Sequence, residues 1–199
     1  ICVATCPAHM DVPDYIHSIR DGDYEKGLQL MYRTNPFPAT CGRICTRRCE
    51  SVCPVGILGE PVAIRWLKRF IVDQVDAQDY QRILNDQIIE SGHRVAIIGA
   101  GPGGLSAAYY LRKKGHAVTV FEAGETAGGM LRYGVPSYRL PDADLDKDIA
   151  YIVSLGVDIR YHTRSGKDIE FEQLLQDYDA VCLSTGLSVP SNMRIQGED

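Results

Sequence analysis

The spacing of apolar positions divides the 199-residue chain into two stretches of different character. Up to about residue 77 the repeat is helical and interrupted by prolines. Asp11 stands as a cap before a helix entered through Pro13, and residues 24–32 carry Leu28, Leu30 and Met31. The run Thr34-Asn35-Pro36-Phe37-Pro38 then breaks the chain, because each proline removes a backbone donor and restricts its predecessor. A longer helix is predicted over 62–75, where Ile64, Leu67, Ile71 and Val75 recur at three- and four-residue spacing. The polar stretch 76–94 reads as a connection.

From Arg94 onward the pattern changes to short buried strands alternating with helices. Strands are predicted over 94–98 and 117–121, a short extended piece over 158–161, and a third buried strand over 180–184. Helices are predicted over 105–114, 144–155 and 171–177. A strand, a glycine turn, a helix and a strand in fewer than thirty residues form a right-handed parallel unit. The predicted architecture is therefore an α/β Rossmann-like dinucleotide domain over 86–199, preceded by a small all-α domain over 1–85.

The glycine turn carries the first chemistry. Gly99-Ala100-Gly101-Pro102-Gly103-Gly104 follows an apolar strand, opens a helix, and is answered by Glu122 at the end of the next strand. Gly99 permits the tight turn, Gly101 lets the backbone approach a pyrophosphate, and Gly104 lets the helix lie close to the sheet. Glu122 is placed to accept hydrogen bonds from adenosine ribose hydroxyls, and it would repel a 2'-phosphate. FAD and NAD both satisfy this pattern. The glycine pair Gly128-Gly129 and the turn Ser184-Thr185-Gly186 add permissive backbone beside an extended cofactor.

Composition narrows the class further. A hydrophobic content of 45% supports a core, and the net charge of -5 without a basic block argues against a nucleic-acid surface. The longest apolar runs are strand-sized, so no membrane span is predicted. Six of seven cysteines lie within the first 53 residues. The start of the chain, Ile1 to Cys6, lacks the basic and apolar pattern of a secretory signal, which predicts a reducing, cytoplasmic compartment and metal-bound thiolates. The chain starts one residue before a cysteine and without methionine, so further ligands are expected upstream.

Cys41, Cys45, Cys49 and Cys53 are spaced four apart. On one continuous helix the outer pair would lie about 18 Å apart, which no single small cluster spans. Either the run bends, or these cysteines serve different centres together with Cys2 and Cys6. Proline after Cys6 and Cys53 also occurs in ferredoxin motifs, whereas structural zinc sites favour closer pairs with histidine, so iron-sulfur chemistry is the stronger reading. Arg43, Arg47 and Arg48 either offset thiolate charge or form a solvated basic face. Cys182, flanked by Val181 and Leu183, reads as a core residue.

Taken in order, Cys2-x3-Cys6-Pro7, Asp11-Val12-Pro13, Asn35-Pro36, Cys41-Gly42-Arg43-Ile44-Cys45, Cys49-x3-Cys53, Pro61-Val62-Ala63-Ile64, the Gly99 turn and residues 129–136 (Gly-Met-Leu-Arg-Tyr-Gly-Val-Pro) closely resemble one family. It contains the small subunit of NADPH-dependent glutamate synthase, the amino-terminal half of dihydropyrimidine dehydrogenase and the large subunit of NADH-dependent ferredoxin:NADP oxidoreductase. The resemblance implies an alpha-helical ferredoxin domain with two 4Fe-4S clusters beside an FAD-binding domain, with NAD(P)H as substrate. By this resemblance Cys2 and Cys53 join one cluster with upstream cysteines, and Cys6, Cys45 and Cys49 hold the other. It assigns FAD contacts to residues 99–103, Glu122, Gly129, Met130, Arg139 and Ser165, beside the turn at Thr185 and Gly186.

Lys68 falls where relatives commonly place a glutamate or glutamine ligand. Deprotonating a lysine at pH 7 costs about 4.6 kcal/mol, against about 2 kcal/mol for a thiol, which favours Cys41 as the fourth ligand. The implied function is an oxidoreductase subunit passing electrons between NAD(P)H, FAD, clusters and partner protein subunits in a hetero-oligomeric complex. No acid-base residue of the chain is assigned a catalytic role. The alternative is a non-catalytic electron-conducting or scaffold subunit.

Overall fold

The structure, a computed structural model, describes residues 1–84, 87–187 and 194–196. Among the described residues seven α-helices come first: α1 (Cys2–Thr5), α2 (Val12–Arg20), α3 (Tyr24–Tyr32), α4 (Pro38–Ile44), α5 (Arg48–Ser51), α6 (Ile64–Gln74) and α7 (Tyr80–Leu84). Then follow β1 (Arg94–Ile98), α8 (Pro102–Lys113), β2 (Ala117–Phe121), α9 (Met130–Tyr133), α10 (Asp142–Ser154), β3 (Asp158–Arg160), α11 (Phe171–Asp177) and β4 (Ala180–Leu183).

Local chemistry explains several boundaries. Asp11 and Asp23 cap α2 and α3, accepting from the amides of Asp14 at 3.4 Å and Lys26 at 3.0 Å. The amphipathic helix expected over 62–75 is α6, which buries Ile64, Arg65, Lys68, Ile71 and Val72; Val75 has already turned extended. The stretch 76–94 is more than a connection. It includes a 3-10 turn at Ala77–Asp79 and helix α7, whose Tyr80 and Ile83 are buried. Their two apolar side chains were too few to show a period among polar neighbours.

The cysteine run bends. Helix α4 stops at Ile44, Cys45 takes an extended ψ of 138°, Arg47 is left-handed at φ 61°, and α5 begins at Arg48. Cys41, Cys45, Cys49 and Cys53 therefore do not lie on one axis.

Among the described residues the sheet has four parallel strands, in the order β3-β2-β1-β4. Val95 pairs with Val118 on one side and Ala180 on the other, so β1 is flanked on both edges. Helix α11 covers one face through Leu174, which meets Ala96, Ile98 and Phe121. The other face belongs to a larger core that runs without interruption into the helical module, from Val95, Leu105 and Ile152 to Tyr32, Met31 and Ile71. The strand expected to be buried at 180–184 is only partly so: Ala180 and Leu183 are exposed, because β4 is an edge strand. Cys182 on it is half-buried and packs against the core. Helices α8 and α10 begin at Pro102 and Asp142, before the apolar positions that predicted them, because a proline and acidic residues occupy their first turns.

Candidate functional site

The carboxyl end of the sheet opens into a cleft of about 640 Å³, lined by Gly99, Gly101, Pro102, Gly103, Glu122, Gly129, Met130, Tyr133 and residues 183–187. Three glycines shape it for different reasons. A Cβ on Gly104 would stand 1.9 Å from the carbonyl oxygen of Gly99, so α8 can approach the sheet only without a side chain there. A Cβ on Gly99 would meet the Ser184 carbonyl at 2.3 Å. Gly101 is different: its Cβ would meet nothing nearer than the Gly129 Cα at 4.0 Å. Its lack of a side chain is not required by the protein's own packing. It leaves the amino terminus of the twelve-residue α8 accessible to a ligand, with free backbone amides and the positive end of the helix dipole. A pyrophosphate fits that place.

Glu122 directly follows β2 and lines the site. Its Oε2 accepts from the Ala100 amide at 2.7 Å and its Oε1 from the Gly124 amide at 2.8 Å. The carboxylate is thereby oriented, and each oxygen keeps a lone pair free to accept from a ligand. Ala100 lies behind the lining, and its carbonyl accepts from the Gly128 amide at 2.8 Å, tying the phosphate turn to the second glycine pair. Gly129, at φ 51°, takes a conformation that side chains disfavour. Met130, Thr185 and Gly186 line the cleft; Gly104 supports it from beneath. Arg139 and Ser165 do not line it: Arg139 is exposed, and Ser165 bridges to Ile169. Tyr133, whose hydroxyl lies 2.6 Å from the Thr126 Oγ1, is a lining residue that residue spacing did not single out. Its only signal was its place between the Gly129 and Gly134 glycines.

The second site lies in the helical module. A cavity of about 320 Å³ is walled by Cys6, Cys41, Cys45 and Cys49, brought from the end of α1, from α4 and its exit, and from α5, together with Tyr15 of α2 and Lys68 of α6. Cys2 and Cys53 are outside this wall. Among the described residues no three metal-binding side chains converge on one ion position. The hydroxyl of Tyr15 is buried and has no hydrogen-bond partner. A buried donor left unpaired costs about 1–3 kcal/mol, and a sulfur-rich group inside the cavity would supply its acceptor. By donor set and by this orphaned hydroxyl, the residues fit an iron-sulfur cluster.

Electrostatics divide the wall cysteines, and burial pushes the Cys49 thiol up. The hydrogen bond from Cys41 holds the Cys45 thiol down at about 5, against the cost of burial, with the Arg47 amide, 3.4 Å from its sulfur, adding to the effect. Cys41 itself is pushed up, first by that shared hydrogen bond and then by burial. Lys68 Nζ donates to the Cys41 sulfur at 3.1 Å. At the surface, the Cys53 thiol is lowered chiefly by the Val62 amide, with Val55 and Gly56 contributing.

The arginines next to the cysteines divide by role. Arg43 neither faces the sulfurs nor forms a solvated face. It is buried, with Nη2 2.7 Å from Asp73 of α6 and Nε 2.5 Å from Asp144 of α10. Arg47 is exposed, and Arg48 reaches the cavity wall.

One carboxylate joins the two sites. Helix α4 has Phe37 at its cap position and no side-chain cap of its own. Asp148, fully buried on α10, accepts from the Thr40 amide at 2.8 Å, the Ala39 amide at 3.2 Å and the Tyr32 hydroxyl at 3.1 Å. The helix that presents Cys41 is thus capped by the dinucleotide domain. Around it, Tyr32 packs edge-on to Tyr151 at 4.8 Å and Tyr80 at 5.7 Å, and its carbonyl accepts from Tyr109 at 2.6 Å.

Comparison with known proteins agrees with this division. Residues 1–80 match the family described as dihydropyrimidine dehydrogenase domain II, 4Fe-4S cluster, and residues 97–170 match the NAD(P)-binding Rossmann-like domain. The whole chain is 43% identical to 31% of an NADP(+)-dependent formate dehydrogenase subunit beta of Moorella thermoacetica. It is 40% identical to 30% of an NADPH-Fe(3+) oxidoreductase subunit beta of Geobacter sulfurreducens. A glutamate synthase (NADPH) small chain of Mycobacterium tuberculosis is 33% identical, the chain covering 40% of it. The chain therefore spans about a third of the curated relatives it matches. Among the described residues no helix is long and apolar enough to cross a membrane. Residues 1–80 are thus similar to an iron-sulfur domain and residues 97–170 to a dinucleotide-binding domain, and over its full length the chain is similar to part of oxidoreductase subunits that include a glutamate synthase small chain.

Proposed function

We propose that this chain is the electron-entry part of a cytoplasmic NAD(P)H oxidoreductase, with FAD in the glycine-lined cleft and 4Fe-4S clusters in the cysteine module. The division is at about residue 85, an iron-sulfur unit over 1–85 and a flavin unit over 86–199; that boundary falls outside the described residues. When bound, FAD supplies two-electron exchange with a nicotinamide, and the clusters carry single electrons onward.

The chain's own residues bind and orient. Amides at the start of α8 and the bare backbone of Gly101 and Gly103 receive the pyrophosphate, and Glu122 receives the adenosine ribose. Cys6, Cys41, Cys45 and Cys49 hold one cluster, with Cys2 and Cys53 assigned to another that needs ligands beyond this chain. Arg139 and Ser165 are assigned to parts of the flavin away from the cleft. The Glu122 carboxylate disfavours a 2'-phosphate, so a reaction with NADP(H), the nucleotide in the names of the three relatives above, requires a second dinucleotide site outside this cleft.

The observation that carries the proposal is the cap from Asp148 to the amides of Ala39 and Thr40, which packs the cluster-bearing helix onto the dinucleotide domain. Electron transfer between centres needs such fixed proximity. A partner subunit or domain accepts the electrons. Anaerobic stopped-flow mixing of the complete protein with NADH and NADPH tests the reading. Flavin bleaching followed by cluster reduction is expected, and intact flavin colour with both donors would assign the chain to a conducting or scaffold role instead.

A further inference from the structure

Lys68 is the most deeply buried ammonium in the cysteine module, with 4% of its surface exposed. It projects from the middle of α6 into the wall formed by Cys6, Cys41, Cys45 and Cys49. Its Nζ stands 3.1 Å from the Cys41 sulfur, and among the described residues no carboxylate lies within ion-pair distance of it. Burying an unpaired ammonium is costly unless a negative charge shares the site. Sulfur is the partner on offer, and an ammonium has no lone pair with which to bind iron.

We propose that Lys68 is a positioning residue for redox potential: it donates an N–H to the Cys41 sulfur and supplies the fixed positive charge that favours the reduced form of the cluster in this cavity. The assignment rests on the iron-sulfur reading given above. Reduction adds one electron, and hence one negative charge, to a small cavity whose wall includes the buried Lys68, Cys49 and Tyr15. A cation held against one of its ligand sulfurs stabilises that added charge far more than a surface lysine could. Arg48, which reaches the same wall, and Arg65, buried one helical turn before Lys68, add charge of the same sign. Of these three side chains, Lys68 is the one whose charged group is hydrogen-bonded to a cavity sulfur, and it separates the roles of α6 and α4: one helix brings the ligand, the other its counter-charge.

The test compares wild type, Lys68→Met and Lys68→Arg in the complete protein, purified anaerobically. Iron and acid-labile sulfide are counted first, and midpoint potentials are then read by EPR-monitored titration. Methionine fills similar space without charge, while arginine restores it. The expected result is equal iron in all three, with the Met variant at least tenfold harder to reduce in its equilibrium constant, about 59 mV for a one-electron couple, and the Arg variant returning toward wild type. A couple belonging to Cys2 and Cys53 stays in place and serves as the internal reference. An unchanged potential in a fully loaded Met variant would overturn the assignment, as would equal loss of iron from the Met and Arg variants. A wild-type protein without iron or sulfide would instead sink the underlying cluster reading.

Discussion

Asp148 offers a test of how the two modules are held together. Burial raises its carboxyl to about 7 from the ordinary 3.8, outweighing the amides of Thr40 and Ala39 and the Tyr32 hydroxyl, which act in the opposite direction. A folded-state value above the unfolded one means that the stability is fully present below about pH 4 and is lost as pH rises through about 7. Between pH 5 and pH 8 the wild type should lose about 2–3 kcal/mol through this group alone. Asp148→Asn removes the titration. Its amide nitrogen must face a backbone donor at the start of α4, which costs about 1–3 kcal/mol at any pH. The variant is therefore the less stable protein at pH 5 and equals or overtakes the wild type by pH 8. For a chain of this size the relative shift in thermal midpoint is about 5–10 °C. Differential scanning of both holoproteins at the two pH values reads it, with a 13C carboxyl titration of Asp148 alongside. If the wild type's advantage grows as pH rises, the capping amides dominate over burial and the reasoning fails.

The glycines of the turn should respond in opposite ways. Gly104→Ala drives a Cβ against the Gly99 carbonyl and should cost about 3 kcal/mol or more, seen as a lowered thermal midpoint even without cofactor. Gly101→Ala meets no protein atom within ordinary contact and should leave the apoprotein midpoint unchanged within about 0.5 kcal/mol, while flavin content after dialysis falls. Glu122→Gln should weaken FAD binding tenfold or more in equilibrium titration, about 1.5 kcal/mol, because a charged acceptor for the ribose is lost. Cys45→Ser should remove one cluster's iron without affecting flavin, read by metal analysis and absorbance. Arg43→Met leaves the buried Asp144 with Lys147 at 4.0 Å in place of a close guanidinium and should cost about 3 kcal/mol in unfolding experiments.

The dinucleotide site was legible along the chain because each of its parts is a local event. β1, the glycine turn, the start of α8, β2 and Glu122 occupy 29 consecutive positions, from Arg94 to Glu122, and each responds to nearest-neighbour sterics or a short period. Strand bounds at 94–98 and 117–121 and the helices at 24–32 and 171–177 were therefore readable in advance. The cysteine spacing likewise showed that one straight helix was inadequate, and the left-handed Arg47 is where the chain bends.

Contacts across the fold were not legible in this way. Nothing near Phe37 announces that α4 takes its cap from Asp148, 108 residues after Thr40, nor that Arg43 spends its charge on Asp73 and Asp144. The grouping of Cys6 with Cys41, Cys45 and Cys49, and the placing of Lys68 among them, depend on how α2, α4 and α6 pack. A single sequence records which residues can supply sulfur, charge or a bare backbone, because conformational preference acts within a few residues. Only the closed core decides which of them meet, because burial and pairing over a hundred residues are settled by tertiary packing.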